Sequence, residues 1–199
     1  MKRPSPLDNL SGERQSLQEV WAWYEFQRTL INEEKGRVLD PPAGSVSLAT
    51  SRYAGKTREE LKADFAYQIA ELDQVTMLGM LASTEAAFRV DFIERVWNKK
   101  SDKVSHRFLL ITGGRWWDPF SGRGIHGIRL DEDILDPWRE HSAHPDIRHI
   151  VSEFKGALKL RHWLAHGRYW EPGLGRSEYD PKDLFGICSE LLNATVLAP

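Results

Sequence analysis

Apolar side chains recur at helical spacing over several long stretches of this chain, and the pattern predicts an all-α protein. The first stretch, "SLQEVWAWYEFQRTLINEEK", predicts a helix from Ser16 to Lys35 that stops at Gly36. Residues 36–56, "GRVLDPPAGSVSLATSRYAGK", are rich in Pro, Gly and Ser and break the periodicity, so they form a connector. Thr57 then stands three residues before Glu60, a capping box, and opens a helical pattern that runs to about Trp97. Gly79, or the small residues Ala82 to Thr84, could divide this long run. Residues 108–130, "FLLITGGRWWDPFSGRGIHGIRL", switch to glycine, aromatic and basic residues and predict a structured loop or short hairpin. A last pair of helices is expected from Pro145 to about Ala165 and from Pro181 to Asn193.

Composition sharpens this outline. With 199 residues, 41% of them hydrophobic, the chain can bury one real core, with an N-terminal helix and connector (1–55) attached to the main helical unit (56–199). A formal charge of −2 excludes a globally basic nucleic-acid coat, so affinity for phosphate has to come from a local patch. The single cysteine, Cys188, rules out an internal disulfide framework and a cysteine-rich zinc module; in "LFGICSELL" it is expected to be a buried, inert thiol. The early basic residues Lys2 and Arg3 have no apolar run behind them, and no segment has the length of a membrane span. The expectation is a soluble cytoplasmic protein with no membrane partner.

Two charged residues interrupt this pattern. With Ile147 at zero and each residue turned by about 100°, Ile150, Val151, Phe154, Ala157, Leu158 and Ala165 share one apolar sector, and Arg161 points into the middle of it. An unpaired buried guanidinium costs several kcal/mol, so Arg161 needs a partner or a cleft. Glu85 falls on the apolar stripe Leu78, Leu81, Phe88, Phe92 and Val96 of the long helix. The two helices are therefore expected to pack with Glu85 beside Arg161, either orienting the arginine for a function or forming a purely structural ion pair.

His162 and His166 stand four apart, on one helix face at the border between core and solvent. Lys159, His162, His166 and Arg168 also complement the negative end of the helix dipole before Gly167, which accounts for positive charge but not for an arginine on the apolar face. Metal binding by these histidines, or by His141, His144 and His149, is disfavoured: there is no HExxH sequence, and Lys159 and Arg161 would repel a cation. No G-x-S-x-G nucleophile motif and no phosphate-binding glycine fingerprint occurs, and no cofactor is implied.

The stretch "LRHWLAHGRYW" resembles the R-x4-H signature of the HEPN superfamily (higher eukaryotes and prokaryotes nucleotide-binding), with Arg161, His162 and His166 in its three places. Together with the upstream helix "LASTEAAFRVDFIERV" it is similar to the RiboL-PSP-HEPN proteins of prokaryotic defence and toxin systems. The resemblance covers about residues 61–192; the segment through Ser51 and the "GGRWWDPFSGRGIHG" loop have no counterpart in it. It implies a HEPN-like bundle of about four core helices, with the N-terminal helix and the glycine and aromatic-rich insertion added.

The resemblance further implies a metal-independent endoribonuclease whose site forms where two R-x4-H helices meet in a homodimer. In that reading the His166 imidazole exchanges protons as a ribose 2′-OH attacks the adjacent phosphate. Arg161 orients and neutralises that phosphate, and His162 supports it. Single-stranded or loop RNA is the expected substrate, with Lys159, Arg168, Tyr169, Trp170, Arg123 and His126 as candidate RNA contacts and Glu85 in support. Trp163 is expected to pack rather than stack on a base. A toxin or antiviral effector restrained by an antitoxin protein is the implied setting. The alternative is a non-catalytic HEPN module for dimerisation or interaction, with Arg161 kept as a structural ion pair; a helical metal-binding or small-ligand domain is a third reading.

Overall fold

A computed structural model describes residues 13–41, 52–113, 127–168 and 178–197, and its elements are all helical, with no strand among the described residues. Helix α1 (Leu17–Leu39) starts where expected, because Ser16 accepts from the Glu19 N–H while the Glu19 carboxylate accepts from the Ser16 N–H. It does not stop at Gly36. Val38 and Leu39 are buried against Tyr53, Leu61 and Phe65, and this burial outweighs the roughly 1 kcal/mol that a helical glycine costs.

Helix α2 (Arg58–Asn98) opens on the Thr57–Glu60 capping box and is continuous over 41 residues, about 60 Å. Neither Gly79 nor the Ala82–Thr84 stretch divides it. Gly79 faces α1: a Cβ there would lie 3.4 Å from a Val20 methyl, an ordinary van der Waals contact.

Helix α3 (Lys103–Ile111), capped by Asp102, has no counterpart in the sequence expectations. It corrects the start of the expected loop or hairpin, since Phe108 to Ile111 are helical and Phe108 is fully buried beside Phe92. Residues 114–126 of that loop lie outside the described residues. A π-helical turn (Leu130–Leu135) leads into the short helix α4 (Asp136–His141), also unforeseen; α5 (Ile147–Ala165) and α6 (Pro181–Ala194) follow close to their expected bounds.

Helix α2 is the spine, with α1, α5 and α6 packed along it. The main core joins Met80, Leu81, Phe88 and Phe92 of α2 to Ile150, Val151, Phe154 and Ala157 of α5 and to Leu184, Cys188 and Leu191 of α6. The N-terminal helix is part of this packing: Leu17 and Val20 belong to the main core, and Trp21 lies 4.7 Å from the Phe185 ring. A smaller cluster at the other end of α1 and α2 holds Val38, Leu39, Tyr53, Leu61 and Phe65. No helix among the described residues is long and apolar enough to cross a membrane.

Among the described residues, Arg95 and Asp91 of α2 form an interior ion pair. Arg95 is 5% exposed; its Nε donates to both oxygens of Asp91 (2.7 and 2.8 Å) and its Nη1 to Asp102 (2.9 Å) and Ser105 (3.2 Å). Its Nη2 donates to the Val196 carbonyl, and the guanidinium lies 4.8 Å from the Trp138 ring centroid. This network ties α2, α3, α4 and the segment after α6 together at one end of the bundle.

Candidate functional site

The buried face of α5 holds Ile147, Ile150, Val151, Phe154 and Ala157 as expected, and adds Leu160, which was not expected, while Leu158 is only half-buried. This face ends at Leu160. Beyond that residue the helix runs out of the core, so Ala165 is exposed and Arg161 is only half-buried, its side chain 39% exposed. This corrects the expectation that Arg161 sits inside the apolar sector. A long arginine can cover apolar surface with its stem while the head leaves it, and here the Nε is buried without a hydrogen-bond partner among the described residues.

The head meets Glu85: Arg161 Nη2 lies 2.9 Å from Glu85 Oε2. Glu85 is the more buried partner, 13% exposed, and it does not serve Arg161 alone. Its Oε1 accepts from Arg89 Nε at 2.7 Å, and Arg89 Nη1 donates to the Ile128 carbonyl at 3.1 Å. Two guanidiniums thus share one carboxylate. Sequence reasoning did not single out Arg89; its only signal was the four-residue spacing from Glu85 on α2.

His162 and His166 are both exposed, with ring centroids 4.4 Å apart and planes at 57°. His166 caps the helix, donating its backbone N–H to the His162 carbonyl at 3.2 Å. The chain then turns through left-handed conformations at Gly167 (φ +83°) and Arg168 (φ +58°). The Arg168 N–H returns to the Trp163 carbonyl at 3.2 Å, as in a Schellman termination, and the glycine supplies the conformation that this turn needs.

Arg168, a candidate RNA contact, is exposed, and its guanidinium is already engaged within the chain. It holds Glu71 of α2 through two bonds, 2.7 and 3.0 Å, and also bonds Gln74, fastening the end of α5 to the spine. The Arg168 hydrogen bonds keep the Glu71 carboxyl below the ordinary value of 4.5. Lys159 is exposed, and Trp163 is half-buried against the main core. Tyr169, Trp170, Arg123 and His126 lie outside the described residues. The structure therefore brings together Arg161, Glu85 and Arg89 in one cluster, and His162 with His166 in another on the same helix end.

Among the described residues no group of three or more His, Cys, Asp or Glu could hold a metal ion. His144 Nδ1 accepts from the Asp146 N–H at 3.3 Å, while His149 lies 3.7 Å from Glu153 on α5. Cys188 is fully buried, and burial pushes its thiol up to about 11, which makes it a poor nucleophile near neutral pH. What remains chemically is an exposed pair of imidazoles able to pass protons, next to a guanidinium able to bind an anion. No family model matches the chain, and none of the curated proteins or solved structures compared with it matches either.

Proposed function

We propose that this chain is a metal-independent endoribonuclease of the HEPN type, acting on single-stranded or loop RNA as a toxin or antiviral effector. The observation that carries the reading is the Glu85–Arg161 pair at 2.9 Å: it presents a half-exposed guanidinium on the helix that ends in His162 and His166.

In this reading Arg161 binds the scissile phosphate, and its charge stabilises the pentacoordinate species formed when the ribose 2′-OH attacks. His166 takes the 2′-OH proton. A second imidazole gives a proton to the leaving 5′-oxygen, so the products are a 2′,3′-cyclic phosphate and a 5′-hydroxyl. Pairing two copies of the α5 end in a homodimer would supply that second imidazole and double the local positive charge, which lets a chain of net charge −2 hold RNA. An antitoxin protein would be the natural restraint on such an activity.

The test is incubation of wild type and His166→Ala with an unstructured RNA in excess EDTA, with mapping of product ends. Cleavage by wild type alone, leaving cyclic phosphates, is the expected result. A second reading, a non-catalytic interaction module, is favoured by the exposed apolar row Trp23, Phe26 and Leu30 on α1. It takes over if both proteins are folded and neither cuts.

A further inference from the structure

Glu85 has two carboxylate oxygens and gives one to each arginine: Oε1 to Arg89 Nε and Oε2 to Arg161 Nη2. A carboxylate facing a guanidinium alone frequently closes on it with both oxygens, and such a bidentate pair uses two donors and cancels the charge. Among the described residues, Arg161 shows only the one-oxygen contact through Nη2. Arg89 explains why. It takes the other oxygen, and it is itself fixed by donating Nη1 to the Ile128 carbonyl, just after the glycine and aromatic-rich stretch. Arg89 is 25% exposed and Glu85 13%, so the grip is shielded more than a surface pair would be.

We infer that Arg89 is a positioning residue of this site: it restricts Glu85 to a single-oxygen hold on Arg161, leaving the part of that guanidinium beyond the buried Nε to a phosphate. The inference rests on the reading of Arg161 as a phosphate-binding group. It also assigns the Arg89–Ile128 bond a purpose, since the carbonyl anchors the arginine that anchors the carboxylate. A guanidinium is required for this. Lysine would keep the charge, but its single ammonium lacks the planar fork that reaches the Glu85 and Ile128 oxygens together.

The experiment measures binding of a fluorescein-labelled oligodeoxynucleotide by anisotropy; lacking a 2′-OH, it cannot undergo the proposed cleavage. Wild type, Arg89→Gln, Arg89→Lys, Glu85→Gln and the Glu85→Gln/Arg89→Lys double variant are compared, together with their melting temperatures and their cleavage of the matching RNA. Arg89→Lys and Arg89→Gln are both expected to weaken binding about ten-fold, as loss of a charge-assisted contact to the anion would. In the Glu85→Gln background Arg89→Lys should change binding less than about two-fold, because no carboxylate is left to close on Arg161.

Binding by Arg89→Lys equal to wild type overturns the inference, since Arg89 would then supply charge alone. So does a loss that persists in full beside Glu85→Gln, a fall in melting temperature with unchanged affinity, or no binding by wild type. Binding that depends on Arg89 as described, without cleavage of RNA by wild type, supports the positioning role and refutes the ribonuclease reading.

Discussion

Replacing Arg161 with alanine separates the chemical importance of this residue from its contribution to stability. The ion pair that would be lost joins a side chain 39% exposed to one 13% exposed, so solvent screens it and its contribution is about 1 kcal/mol or less. Loss of stem packing adds to that cost, while removal of the buried, unbonded Nε returns part of it. Glu85 keeps its bond to Arg89, so no carboxylate is stranded. The net loss should be about 1 kcal/mol, which for a chain of this size lowers the melting temperature by about 2–4 °C. Cleavage should fall far more, about 100-fold or beyond, because a donor aimed at developing charge is removed. Urea denaturation and cleavage of an unstructured RNA in EDTA, run on one preparation, read both quantities. A destabilisation of 3 kcal/mol or more would refute the half-exposed placement, and cleavage close to that of wild type would refute the phosphate role.

Arg95 should behave in the opposite way. Arg95→Met strips the guanidinium from an Asp91 that is 1% exposed and should cost about 3–5 kcal/mol in urea denaturation, most of it recovered in Asp91→Leu/Arg95→Met. A double variant no more stable than the single one would contradict this. The Arg168–Glu71 clasp predicts a pH dependence. Because the Glu71 carboxyl is depressed in the folded chain, its stabilisation is present above the ordinary value of 4.5 and disappears as pH falls through the lower native value. Glu71→Ala should therefore melt below wild type at neutral pH, and the gap should shrink as the pH falls below 4.5; a gap that stays constant as the medium is acidified would show that the clasp does not titrate as described.

Local rules made part of this protein legible. The capping box at Thr57 is read from residues three apart, and Glu85 and Arg161 announce each other because charge on an apolar stripe demands a partner. Short elements escaped: α3 and α4 are nine and six residues long, too short for periodicity to show, and they are held by burial of Phe108 and Trp138 rather than by propensity. Arg89 and Arg95 escaped for another reason. Each stands four residues after an acid on α2, the commonest pattern of a solvent-exposed pair, and only tertiary packing turns one into an interior network and the other into a neighbour of Arg161. The degree of burial of Arg161 also depends on where α5 leaves the core, which no single helix pattern contains.

The two separate hydrophobic clusters along α2 divide the stability of the molecule unequally. Phe65 and Leu61, with Val38, Leu39 and Tyr53, form a small unit at one end, whereas Glu85 stands 20 residues further on, about 30 Å along the helix, amid the main core. Local opening free energies follow the apolar area that an opening exposes, so the tip of the α1–α2 hairpin should fray and exchange its amide hydrogens long before the main core does. A proteolytic cut or a chaperone acting on that tip would meet a foldon whose melting leaves the α5 end still docked on α2.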